Sequence, residues 1–536
     1  MTLARLWPAA PLFPGTAPDD EAFLARREYL QTLWPSLLRR SAHHRERLAG
    51  ALVAYQKKIG GGKKAQEAAQ ALADPGTLAV VTGQQIGLFT GPAYTVYKAL
   101  TAILWAQRLE DALGQRVVPV FWIATEDHDY QEATRVSGWN PERGLERFGL
   151  PPGPLLRSVG RLPIPPAAAE EVGRFLEAAP HGGDWLEGFL RDTLQASRDL
   201  GEWFARQMAL LFGGEPLVFL DPMDPSLRTL GAPALAHLME AWQEVGSGLL
   251  ETTARIREAG EEPQLLIDPQ SLQLFRYHQG RRLLLLRDGD KTFTRKGEWE
   301  LPLGSLPEKI LEEPQNFSPA AALRPLLQDW LLPTLGQVAG PGELRYLPQL
   351  EGAFAAAGWA RALAVPRLSF TLLWPQWEEK AQEWGLDLNR LESWHQVRQQ
   401  WEENLLARRP YPIDPAFVHV RAALETLYRR LGEDLAGLGE GYARVLQENQ
   451  SRVLHQIGYL EEKAHQHLRR LYRQEYRAWQ RWMEALWPQG KPQERVYSFL
   501  ALMGPFGPEG IEAFFRAAHL EHPHQWVLVQ KKVPCV

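Results

Sequence analysis

Cysteine is nearly absent: Cys535, next to the last position, is the one thiol in 536 residues. That excludes an internal disulfide framework and a cysteine-built metal cluster, and a chain end is a poor place to hold a nucleophile. Long apolar runs are missing too. No segment approaches the roughly 18–20 residues of a membrane span. The first residues, MTLARLWPAAPLFPGTAPDDEAF, lack the sustained apolar stretch of a secretory signal, so the expected location is the cytoplasm and no membrane partner is expected. Neither charge dominates. Fifty-nine Lys+Arg against 64 Asp+Glu leave −5, so no basic field draws the chain to nucleic acid. H-x-x-x-H spacing is absent and no cysteine partner is available, so no zinc-type metal site is expected. His43 and His44 are neighbours on a charged helix and read as surface residues.

What is present is enough apolar material, 45% of the chain, for a large core divided into about two to four units. Residues 19–58 read as helical, and Gly60-Gly61-Gly62 beside Lys63-Lys64 as a flexible, solvated turn. Residues 77–83 form a short buried strand. Residues 92–114 form a helix with Pro92 in its first turn and Gly114 just past its end. Residues 116–129 form a second apolar strand that ends in four polar residues. Strand, helix and strand with near-continuous apolar strands predict a parallel βαβ crossover. Further strands are expected at 216–225, 281–293, 361–374 and 524–529. The reading is an α/β core over 1–375 with insertions near 140–213 and 260–310, a helical arm over 376–487, and a segment over 488–536 that returns to the core. In the arm, apolar residues step by three and four: Leu391, Trp394, Val397, Trp401 and Leu405, then Val420, Leu424, Leu427 and Leu431, then Val453, Ile457, Leu460 and Ala464. RRPYPIDP (408–415) breaks the first pair. The spacing predicts a long antiparallel coiled-coil arm that dimerises; a helical bundle within the monomer is the alternative.

Open α/β sheets bind ligands at the carboxyl ends of their strands, and two unusual stretches fall there. GQQIGLFTGP (83–92) holds Gly83, Gly87 and Gly91 before a helix. Glycines let backbone N–H groups face an anion, and a helix start adds a positive dipole end. Gln84, Gln85 and Thr90 add side-chain donors, and Tyr94 and Lys98 lie on one helix face. No Walker or dinucleotide pattern is present, and a tight packing turn remains the alternative. EDHD (126–129) brings Glu126, Asp127, His128 and Asp129 to the second strand end. These could hold Mg²⁺, an amine or a ribose, or form a solvated, helix-capping loop. A second glycine turn, VAGPGELRY (338–346), carries Glu343. Arg367, Ser369 and Thr371 alternate along one strand face and suit a phosphate or carboxylate; an arginine paired to a nearby acid is the alternative. KPQERVYSF (491–499), taken alone, reads as surface.

The runs VVTGQQIGLFTGPAYTVYKA, VPVFWIATEDHD, FSPAAALRPLLQDWLLPTLGQVAGPGELRY, VPRLSFT and GKPQERV together resemble, in order and across nearly the whole chain, the BshC family of bacillithiol biosynthesis. The resemblance implies a Rossmann-like core similar to nucleotidylyltransferases and class I aminoacyl-tRNA synthetases, with connecting insertions and an antiparallel coiled coil used in dimerisation. It implies an ATP-dependent ligase that joins cysteine to glucosaminyl-malate, giving bacillithiol through an activated cysteinyl intermediate. In synthetase-like folds the first strand-to-helix turn carries a HIGH-type motif. Here that place is Gln84-Gln85-Ile86-Gly87, without the histidines, and no KMSKS-like loop is visible. On this reading the 83–91 turn and Lys98 bind phosphates, Glu126, Asp127 and Asp129 hold the cysteine ammonium, the sugar or Mg²⁺, Arg367 pairs with malate or phosphate, and His128 is the general base. A nucleotidylyltransferase acting on a sugar or cofactor precursor, and a non-catalytic nucleotide-binding adaptor, are the rival functions.

Overall fold

Residues 78–81 alternate between two packed faces. Leu78 and Val80 join one apolar cluster, with Ala102, Trp105, Ala106 and Leu109 of the following helix. Ala79 and Val81 join a second and larger one, with Val118, Val120 and Val218. A strand buried on both faces reads as a continuous apolar run, as parallel strands do. The computed structural model describes residues 2–9, 20–38, 44–140, 143–178, 183–386, 394–408 and 412–530. Cys535, His43, Leu391 and residues 409–411 of the expected arm break lie outside the described residues.

In chain order the strands are β1 (Thr2–Ala9), β2 (Leu78–Gln84), β3 (Val117–Ile123), β4 (Arg135–Asn140), β5 (Gly144–Gly149) and β6 (Val218–Leu220). There follow β7 (Ser271–His278), β8 (Arg281–Asp288), β9 (Lys291–Thr294), β10 (Glu300–Pro302), β11 (Phe317–Pro319), β12 (Thr334–Ala339), β13 (Leu363–Pro366), β14 (Ser369–Leu373) and β15 (His524–Gln530). The central sheet has the order β13-β12-β2-β3-β6, and every pair in it is parallel. From β2 the chain builds outward through β3 to β6. It later returns to the other side of β2 with β12 and β13. The order therefore reverses between β2 and β12, and ligands of open α/β sheets bind in the crevice at such a switch point. An antiparallel sheet, β10-β9-β8-β7-β11, the hairpin β4-β5 and a three-stranded sheet, β1-β15-β14, are separate from it.

The chain divides into two units, 1–374 with 488–536, and 375–487. In the second unit, helices Ile413–Asp434 and Glu440–Leu471 run antiparallel. Tyr428 donates to Asn449 at 2.5 Å near one end, and His465 meets Asp414 at 2.9 Å near the other. Trp401 stacks on Trp479 with ring centres 4.5 Å apart. Val420, Leu427 and Leu431 are exposed along the first of these two helices.

Three local expectations are corrected. Residues 361–374 form two strands, not one: β13 extends the central sheet, whereas β14 pairs with β15 in another. His44 is buried and packs edge-on against Trp330. The 60–62 turn is packed rather than free, since a Cβ on Gly62 would lie 2.1 Å from the Gly213 carbonyl oxygen. The 83–91 bend obeys the same constraint. A Cβ on Gly87 would lie 2.5 Å from the Gly91 Cα. The backbone that comes so close to Gly87 is that of the bend itself. Gly87→Ala is expected to destabilise the protein by roughly 1–3 kcal/mol, the usual cost of overpacking, as a lower denaturant midpoint with unchanged slope; an unchanged midpoint would show that the bend has room.

Candidate active site at the strand ends

Parallel pairing of β2 with β3 runs to Gln84 opposite Ile123, and the Ala124 N–H donates to the Gln84 carbonyl at 2.9 Å. The glutamine-glycine bend and the acidic loop therefore start side by side. On the other flank Thr82 pairs with Val338 of β12, which leads into the glycine turn carrying Glu343. Three strand ends thus share one rim.

At the switch point stands Lys98, 3% exposed. Its Nζ donates to the Gly83 carbonyl at 2.9 Å and to Gln84 Oε1 at 3.0 Å, and it forms an ion pair with Glu343. Glu343 also accepts from the Gly340 N–H at 2.8 Å, capping the helix Pro341–Tyr346. Burial pulls the Lys98 pKa below its ordinary value, and Glu343 opposes that pull. Lys98 is therefore satisfied by protein groups at the place where it was expected to meet phosphate. Tyr94 lies beside it: Gln84 Nε2 approaches its hydroxyl at 3.4 Å, and burial, then Glu132, push its pKa up to about 12. The Arg367 guanidinium lies over the Tyr94 ring at 5.5 Å.

Gln84, Gln85, Gly83 and Gly87 are half-buried along the rim. Thr90 and Gly91 are not on it. Both are buried, and the Thr90 N–H donates to Gln207 at 3.2 Å. The start of the following helix is also engaged, with the Ala93 N–H on the Tyr497 carbonyl at 2.8 Å and Ser498 Oγ on the Phe89 carbonyl at 2.9 Å. The Ala93 N–H and the Phe89 carbonyl are thus taken up by the returning C-terminal segment, and the packing-turn alternative holds for Thr90 and Gly91.

The acidic loop separates into distinct roles. Glu126 is 4% exposed and paired with the buried Arg228 at 2.9 Å, so it is not open to a substrate amine. Asp127 turns back on its own loop, accepting from the His128 N–H at 2.6 Å, while remaining partly exposed. Asp129 caps the short helix Tyr130–Ala133 through the Glu132 N–H at 3.0 Å, as the capping alternative anticipated. His128 Nδ1 lies 3.2 Å from the Arg282 guanidinium. Arginine only donates, so Nδ1 is the accepting atom of that contact. Burial first, then Arg282, lowers the His128 pKa. Nδ1 is thus taken up by Arg282 rather than left free for the general-base role expected of His128.

Arg367 and Ser369 converge on one acid outside the predicted set. Glu494, fully buried, pairs with Arg367 and accepts from Ser369 Oγ at 2.8 Å. Thr371 lies 3.0 Å from His524 Nε2, so the three side chains are occupied by protein rather than presented to a ligand. Gln493 is equally buried and bonds the Leu372 backbone through both its amide atoms. The surface reading of KPQERVYSF is therefore wrong for residues 492–494 and 497–499, although Arg495 is exposed. Glu132, Arg495 and Arg324 belong to the site and were not predicted. Glu132 hydrogen-bonds Gln85, and partial burial with Asp129 and Asp127 nearby raises its pKa. Arg495 acts electrostatically on both Tyr94 and Glu132. Arg324 sits within van der Waals reach of Gly83. Glu132 lies three residues beyond the tetrad, and that spacing was the available signal.

The model of the bacillithiol biosynthesis BshC N-terminal Rossmann-like domain matches residues 9–368, and that of the BshC C-terminal coiled-coil domain matches residues 370–529. The chain belongs to the BshC family. A relative from Symbiobacterium thermophilum, named "Putative cysteine ligase BshC", is 34% identical over 90% of this chain and 89% of its own length. A relative of the same name from Heliobacterium modesticaldum is 33% identical over 96% and 94%, and one from Geobacillus thermodenitrificans 31% over 94% and 93%. The fold is the family's: a Rossmann-like parallel sheet and a coiled coil. No described helix of this BshC chain is long and apolar enough to cross a membrane.

The Lys98–Glu343 pair generates a stability prediction. Glu343→Leu leaves the buried Lys98 charge without its carboxylate and is expected to cost about 3–5 kcal/mol; Lys98→Met leaves the more exposed Glu343 and should cost less. The double variant should recover most of that loss in a double-mutant cycle by denaturant unfolding; additive losses would show that the pair is not coupled.

Proposed function

We propose that the protein is an ATP-dependent cysteine ligase that forms an amide between L-cysteine and the glucosamine amine of glucosaminyl-malate, giving bacillithiol. The observation that carries this reading is the meeting of the Gln84-Gln85 bend, the 126–132 loop and the Lys98–Glu343 pair at one switch-point rim, together with relatives named as cysteine ligases. In the proposed reaction the cysteine carboxylate attacks the α-phosphorus of ATP and pyrophosphate leaves. The glucosamine nitrogen then attacks the acyl carbon, AMP leaves with the C–O bond electrons, and the nitrogen loses a proton. Glu132 is the group we assign to that proton, because its raised pKa makes it a better acceptor near neutrality than an ordinary carboxylate.

The residues present fit a nucleotide in a particular way. Arg495 and Arg324 are the cations left to meet phosphate charge, since Lys98 and Arg367 are already paired. Gln85 is a neutral donor on the same rim. For Mg²⁺ the fit is to an ion carried by the nucleotide, which needs only one or two protein carboxylates. Asp127 would supply one; Glu126 is committed to Arg228. Such an ion would neutralise phosphate charge while these side chains orient the substrates.

The assay is product analysis with purified protein, ATP, cysteine and glucosaminyl-malate. AMP and pyrophosphate are expected in step with bacillithiol, and Glu132→Gln should lower turnover by about 10²-fold or more, the usual size of a general-base contribution. ADP would replace the adenylate route with an acyl phosphate, and pyrophosphate without cysteine would favour nucleotidyl transfer.

For the arm, we propose a homodimer that covers the exposed stripe Val420, Leu427 and Leu431, since coiled-coil spacing demands an apolar partner surface. Light scattering should give twice 60.7 kDa, and Leu427→Glu with Leu431→Glu should give a monomer; a monomeric parent protein would end the proposal.

A further inference from the structure

Among the described residues, Arg282 is the one group from the antiparallel sheet β10-β9-β8-β7-β11 that touches the acidic loop by hydrogen bond, and its surroundings are unusual for a charge 5% exposed. Its Nε donates to Ser318 Oγ at 2.9 Å and one terminal nitrogen to the Pro319 carbonyl at 2.8 Å. The guanidinium lies 3.9 Å from the Phe275 ring centre. Among the described residues no carboxylate forms an ion pair with it. Neutral acceptors and an aromatic face hold the group still without neutralising it, and its remaining nitrogen faces His128 Nδ1.

We infer that Arg282 is a positioning residue that holds His128 in its Nε2–H tautomer, so that Nε2 donates a hydrogen bond to an anionic oxygen of the ligand at the strand-end rim. This deepens the ligase reading and rests on it for the identity of that ligand. Three observations carry it. The guanidinium cannot accept, so Nδ1 must. His128 Nε2 has no hydrogen-bond partner among the described residues, and the side chain is 32% exposed. The Phe275 ring meets the imidazole at 5.6 Å between centres, fixing its plane. The charged neighbours are Arg282 from β8 and, on its own loop, Asp127, with Oδ1 3.8 Å from Nδ1, and Asp129. The two acids favour protonation, but burial and Arg282 outweigh them and the pKa falls. A pKa below the unfolded value means that this group's contribution to stability is complete above about pH 6.5 and is lost as pH falls through the folded value. A histidine held this way is a neutral donor at pH 7.

The test uses the full-length protein labelled with ¹⁵N-histidine, with His128→Asn assigning the resonance. At pH 7 the His128 signals should be those of a neutral ring with Nε2 protonated and Nδ1 accepting. An Nδ1–H tautomer or an imidazolium would overturn the proposal without bearing on ligase activity. Arg282→Gln should raise the His128 pKa, since it removes one of the two causes that lower it and leaves burial in place; an unmoved titration would overturn the positioning role. If that variant does not fold, the tautomer in the parent protein decides alone. Titration with ATP and, separately, with malate distinguishes a phosphate oxygen from a carboxylate, and a His128 signal unmoved by either would sink the donor role. In turnover, His128→Gln, which keeps an N–H near Nε2, should stay within about tenfold of the parent. His128→Ala should lose roughly ten- to hundredfold, the worth of one hydrogen bond to a charged group. Equal losses in both would count against a donor.

Discussion

Strand β2 is hydrogen-bonded on both sides, to β3 and to β12, and the site follows from that double pairing. Because all three strands are parallel, their polar ends emerge at the same rim rather than alternating between two. Their side chains are buried on both faces, so the register is held by packing: a slip of one residue would exchange the two faces of an apolar strand. A rim fixed so firmly can carry groups that are individually unfavourable, such as buried Lys98 and the uncompensated guanidinium of Arg282.

Charge at this rim is handled by pairing rather than by openness. Lys98 is matched by Glu343, Arg228 by Glu126, and Arg367 by Glu494. Each pair joins distant stretches of chain, and its contribution lies in fixing geometry more than in net stability, since desolvation offsets most of the attraction. What lies outside these buried ion pairs then stands out: Arg495, Arg324, the partly exposed Asp127, Glu132 with its raised pKa, and the Nε2 of His128. These are the groups with capacity left for a ligand. The antiparallel sheet β10-β9-β8-β7-β11 enters the same arrangement through Arg282, so the 260–310 insertion does more than decorate the core.

Much of this was legible in the residues. The runs 77–83 and 116–129, the latter apolar until its last four residues, read as buried parallel strands because uninterrupted apolar residues have few other uses at that length, although the second strand stops at Ile123. Pro92 and Gly114 bracketed the helix between them, and the Gly114 backbone is left-handed at φ +60°, as its place past a helix end requires. Placing both polar stretches at neighbouring strand ends needed only the βαβ rule. The individual roles were not legible. Glu126, Asp127 and Asp129 look alike in a string of four, yet one faces a buried arginine, one its own loop and one a helix end. Arg367 and Glu494 lie 127 residues apart, and no local pattern announces such a partner. The split of 361–374 into strands of two sheets was hidden for a related reason: apolar content records burial, not which neighbour provides it.

Composition, apolar period and glycine and proline punctuation by themselves determined the buried strands, the helical arm and the strand ends where polar residues gather, because each element's type and burial are written in its own residues. Tertiary structure alone decided which of those polar groups are spent on one another and which stay available. That choice turns on desolvation: a carboxylate or guanidinium taken out of water must find a partner, and only the folded chain brings the partner within reach.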